Sequence, residues 1–69
     1  MRKEEFLKEL ERILSEQLPR EAVVENIQYY EKYIDSQIQN GRSEQDVMNE
    51  LGSPHLIAKT IVETSGGIY

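Results

Sequence analysis

The sequence predicts an all-α fold: a compact bundle of four helices, one long central helix and a sharply angled short helix pair at the C-terminal end. Three observations carry this expectation. Apolar residues recur at helical spacing in four separate stretches. Glycine and proline fall at the boundaries of those stretches, at Pro19, Gly41, Gly52, Pro54, Gly66 and Gly67. Serines suited to opening a helix, Ser43 and Ser53, stand just after Gly41 and Gly52. The predicted helices cover about residues 2–16, 19–40, 44–51 and 54–65, within one domain spanning 1–69.

In the first helix, Phe6, Leu7, Leu10, Ile13 and Leu14 form one apolar stripe, with Glu4, Glu5, Lys8, Glu9, Glu11 and Arg12 outside it. Pro19 disfavours the helical conformation for Leu18 and suits the first turn of the second helix, where a missing N–H is harmless. That second helix places Val23, Ile27, Tyr30, Ile34 and Ile38 along about five turns, closed by Asn40-Gly41. At roughly 30 Å it is expected to be the spine on which the others pack.

Ser43 caps the third helix, with Asp46 three residues on in a capping-box arrangement, and Val47, Met48 and Leu51 face inward. Gly52 ends it, and Ser53 with Pro54 opens the fourth helix at once, so the two cannot be collinear. The expected consequence is that both fold back onto the second helix. The fourth helix aligns Ile57, Ala58 and Ile61 on one face, leaves Leu56 and Val62 off it, and ends at Gly66-Gly67.

Composition narrows the function classes. A 69-residue chain is short for a self-sufficient core, but 38% hydrophobic residues exceed what a disordered tail carries. With no cysteine there is no disulfide or thiolate metal site, which fits a reducing compartment. The net charge of −5 works against phosphate backbones and anionic lipid as partners. No signal-peptide run and no membrane-length apolar segment occurs, which predicts a soluble, intracellular chain without direct membrane contact.

No chemistry-bearing constellation stands out. His55 is the only histidine, and a metal site would need three or four converging ligands. The carboxylates are interspersed with lysines and arginines along solvated faces. Ser15, Ser36, Ser43, Ser53 and Ser65 carry no nucleophile signature, and no phosphate-cradling glycine loop is present. The expectation is a non-enzymatic protein with no catalytic, cofactor-binding or metal-binding residues.

Two recognition readings remain. Residues 43–65 form a short helix, a glycine turn and a second helix, the outline of a DNA-binding helix-turn-helix. From Ser43 to Tyr69, however, four acidic residues face one lysine, the wrong sign for phosphate and base contacts. Protein contact fits better. Tyr30 lies within the apolar stripe of its helix, Tyr33 flanks it, and Tyr29 points away as a contact candidate. Leu56, Val62, Ile68 and Tyr69 exceed what a peripheral helix can bury, leaving them for a partner, a second copy or a following segment.

The segments "MRKEEFLKELERIL", "LPREAVVENIQYYEKYID" and "GRSEQDVMNELGSPHLIAKTIV" together resemble the HAAS family, from about Lys3 to Val62. The most specific blocks are "YYEKYID", Tyr29 to Asp35, and "ELGSPHLIAK", Glu50 to Lys59. The resemblance implies a small helical domain at the N-terminus of bacterial membrane proteins. Family members carry it on the cytoplasmic side, ahead of transmembrane helices or an extracytoplasmic domain, and are often encoded beside PadR-type transcriptional regulators. It implies signalling or envelope-stress roles and no agreed catalytic residues. This chain departs from that pattern by reaching Tyr69 without a membrane segment, so it reads as an excised N-terminal domain or a short member.

The combined expectation is a cytoplasmic protein-interaction or signalling module at the membrane face, with Tyr29, Leu56 and Val62 as partner contacts. Its expected partner is a PadR-type regulator or the rest of its own membrane protein, without nucleic acid and with homo-oligomers open. The alternatives are the helix-turn-helix and a structural, self-associating domain.

Overall fold

The computed structural model describes residues 1–64, which form an all-α bundle in the order α1 Lys3–Ser15, α2 Arg20–Gln39, α3 Glu44–Leu51 and α4 Pro54–Thr64. The expected helix end at Gly66-Gly67, and Ile68 and Tyr69, lie outside the described residues.

Local chemistry sets each boundary. The Glu5 carboxylate accepts from the Arg2 backbone N–H at 3.0 Å, and Glu44 accepts from the Lys3 N–H at 2.8 Å, so carboxylates meet donors at the start of α1. Pro19 is extended (φ −66°, ψ 154°) and stands just before α2 rather than inside its first turn. Helix α2 closes through paired bonds, Gly41 N–H to the Ile38 carbonyl at 3.0 Å and Arg42 N–H to the Gln37 carbonyl at 3.1 Å. That arrangement requires a positive φ at the intervening residue, and Gly41 supplies 102°. The Ser43 hydroxyl accepts from the Asp46 N–H at 3.1 Å, and the Ser53 hydroxyl accepts from the His55 N–H at 3.1 Å.

The packing corrects one expectation. Helix α2 is the longest, but α1 is the element that touches the other three, and α4 packs chiefly along α1 instead of folding back onto α2. Sequence chemistry explains this. Phe6, Leu10 and Leu14 are each 0% exposed, and half-buried Leu7 and Ile13 widen their stripe on either flank. An apolar arc that broad has room for a neighbour on each side. Val23 and Ile34 of α2, Val47 and Met48 of α3, and Ala58 of α4 complete the buried core with Leu18 and Ala22.

The direction of α4 follows from its contacts. His55, at its start, approaches Glu9, while Val62, near its end, shares a small cleft with Ile13 and Gln17. Helix α4 therefore runs in the same sense as α1.

Candidate interaction surface

Tyr29 is 63% exposed, and its ring stands edge-on to Tyr30 with centroids 5.0 Å apart. Tyr30 in turn meets the buried Phe6 ring at 6.3 Å in a second edge-to-face contact. A chain of rings thus runs from the core to the surface and fixes Tyr29 at its outer end. Burial raises the Tyr30 phenol above its ordinary pKa, as expected for the ring closer to the core.

Leu56, in the first turn of α4, is 67% exposed. Val62 is different: it is half-buried and packs against the core, beside Ile13 and Ala58 in a cleft of ≈ 180 Å³. Six residues apart on one helix, Leu56 and Val62 point about 120° away from each other. Tyr29 and Leu56 are therefore the two that offer most of their apolar surface to solvent, from different helices.

A polar clasp between α2 and α3 was not visible in the sequence. The Tyr33 hydroxyl donates to Glu50 Oε1 at 2.7 Å, and Arg42 donates to the same oxygen at 2.9 Å and to Gln37 Oε1 at 3.1 Å. The hydrogen bond from Tyr33, followed by that from Arg42, holds the Glu50 carboxyl below its ordinary pKa. The same bond raises the Tyr33 phenol. At the other end of α3, Lys3 adds an ion pair to Asp35 at 2.6 Å beside its backbone bond to Glu44. The most specific blocks, Tyr29 to Asp35 and Glu50 to Lys59, thus meet through Tyr33 and Glu50. The only signal for this was that the blocks occur together, since residues 17 apart have no helical phase relation.

An open groove of ≈ 1000 Å³ runs between the outer face of α1, at Glu5, Lys8 and Arg12, and the α3–α4 corner, at Met48, Pro54 and His55. Arg12 pairs with Glu9 on its rim and holds that carboxyl below its ordinary pKa. His55 Nε2 lies 3.9 Å from Glu9. Beyond the groove, α4 exposes Leu56, Lys59, Thr60, Glu63 and Thr64, a face with one lysine. Among the described residues, no three or more His, Cys, Asp or Glu side chains converge in a metal-ligating group. No helix among them is long and apolar enough to cross a membrane.

The family model of HAAS matches residues 5–60 of the chain. No curated protein and no solved structure matches it.

Proposed function

The chain belongs to the HAAS family, and from that premise we propose that it is a protein-interaction module in bacterial signalling, acting by contact and without chemistry of its own. The observation that carries this reading is the pair of large apolar side chains, Tyr29 and Leu56, kept 63% and 67% exposed on a folded domain. Tyrosine is one of the residue types enriched among the few positions that dominate interface energies, and an exposed leucine adds apolar area to bury. Tyr29 suits the role because its contact with Tyr30 limits the freedom it loses on binding. Val62 contributes only its outer edge.

The proposed setting is the cytoplasmic face of the membrane, as the N-terminal domain of a bacterial membrane-associated protein. The proposed partner is a PadR-type transcriptional regulator or another part of its own polypeptide. Nucleic acid is the weaker alternative, because the exposed face of α4 offers Lys59 beside Glu63 where phosphates call for a basic surface.

Affinity capture from the source bacterium tests this reading. The wild-type domain recovers a regulatory protein, and a Tyr29→Ser, Leu56→Ser double variant of unchanged helicity loses it. Identical recovery by both proteins removes these residues from the interface.

A further inference from the structure

We propose that the exposed face of α2 is a self-association surface, on which α2 of a second copy of this chain lies antiparallel with Tyr29 beside the two-fold axis. The proposal rests on the reading of Tyr29 as a contact residue and assigns what that residue touches. Glu21, Glu25, Lys32 and Ser36 are exposed and fall within about 60° of arc along α2. Gln28 borders that arc on one side and Tyr29 on the other, both exposed. A two-fold axis between residues 28 and 29 sets Glu25 against Lys32 of the second copy and Glu21 against the Ser36 hydroxyl of the second copy. Each contact occurs twice.

The order of charge along α2 selects this occupant. Glu25 and Lys32 stand about 5 Å from the axis on opposite sides, so each lies nearest the opposite charge of the other copy. Like charges are then about 10 Å apart along the helices. Among the described residues, Glu21, Glu25 and Lys32 have no ion-pair partner within the chain. The other charges of α2 are turned aside or already paired. Glu31 and Asp35 lie about 110° and 70° from the centre of the arc, Asp35 is paired with Lys3 at 2.6 Å, and Arg20 with Glu11 at 2.8 Å. One negative charge per copy is left over, on Glu21 at the ends of the contact, where solvent screens it.

Exposed ion pairs contribute little each, so the charges set register and direction rather than affinity. Apolar area comes from Tyr29, which is 63% exposed and held edge-on by Tyr30. A residue beside a two-fold is used twice, so the two Tyr29 rings meet each other on one flank of the contact. The Lys32 stems add apolar length across the seam. Two helices touching through one aromatic each make a small interface, and the dissociation constant is on the order of 1 mM. A second copy and another partner therefore compete for Tyr29, while Leu56 on α4 stays outside this contact.

Sedimentation equilibrium of the intact chain from micromolar to millimolar concentration tests the proposal. The weight-average mass is expected to rise from 8.1 kDa toward twice that value. Glu25→Lys and Lys32→Glu each turn two attractive pairs repulsive, weakening association roughly tenfold, and the double exchange restores it. The net charge of −5 makes Glu25→Lys decisive, since relief of overall repulsion alone would strengthen association in that variant. A monomer mass throughout, a stronger Glu25→Lys variant, or a double exchange no stronger than the single ones overturns the proposal. Both exchanges keep Tyr29 and Leu56, so capture of another partner reports on the proposed function separately. A cross-link guards against a folding defect in the charge variants. Gln28→Cys gives this cysteine-free chain a single thiol beside the axis and is expected to form a disulfide-linked dimer on mild oxidation. Gln45→Cys, exposed at the start of α3, is not. Equal cross-linking of the two, or none, overturns the proposal as well.

Discussion

Gly52 holds the corner between α3 and α4 at φ 74°, ψ −146°, a conformation that side chains with a Cβ rarely adopt. A Cβ built there meets nothing within 4 Å, so space is not the constraint and backbone conformation is. Gly52→Ala is therefore expected to lower stability by about 1–3 kcal/mol in urea unfolding. A loss near zero would mean that the corner adjusts freely and does not fix the path of α4.

The clasp residues make a pH prediction at the same scale. Glu50 is held below its ordinary pKa, first by the bond from Tyr33 and then by Arg42. Its contribution is present above the ordinary glutamate value of about 4.3 and is lost as pH falls through the lower folded value. Tyr33 is shifted upward, chiefly by that same bond. Its contribution is full below about 10 and is lost as pH rises through the higher folded value. The urea midpoint should accordingly stay level from about pH 5 to 9 and fall on either side. Tyr33→Phe should make both limbs shallower, and a profile that this substitution leaves unchanged contradicts the clasp.

Among the helices, α1 rather than α2 organises the packing. Leu10 is 0% exposed at the centre of its stripe, whereas Leu56 on α4 is 67% exposed. Leu10→Ala should cost about 2–5 kcal/mol, a large part of the total for a domain this small. Leu56→Ala should stay within about 0.5 kcal/mol. Comparable losses at both sites would mean that α4 is more deeply embedded than its exposure indicates. These two leucines also show what the sequence could reveal. The four helices were legible because apolar spacing, proline, glycine and serine caps act within a few residues of one another. The placement of α4 on α1 was not, because it depends on how wide the α1 stripe is relative to its neighbours. The Tyr33–Glu50 bond was hidden for the same reason, since it forms only after the turn at Gly41 brings α3 back beside α2. Tyr29 could be placed outside by its angle from the α2 stripe, and Leu56 by its angle from Ile57 and Ile61. Val62 also lies off the Ile57–Ile61 face, yet the width of α1 reaches it through Ile13.

For the molecule as a whole, the residues that hold the fold and the two proposed contact residues are different. The core draws on all four helices, the clasp holds α3 to α2, the Lys3 N–H bond to Glu44 ties α3 to the start of α1, and Tyr29 and Leu56 lie outside all of these. A domain built in this way can lose its contact side chains without losing its fold. The most direct test is calorimetric titration of the captured partner into the wild-type domain and into the Tyr29→Ser, Leu56→Ser variant. We predict a loss of affinity of at least tenfold, about 1.4 kcal/mol, with the helical spectrum and urea midpoint nearly unchanged. Wild-type affinity in the variant would contradict the account, and so would a loss of binding that merely follows a loss of folding.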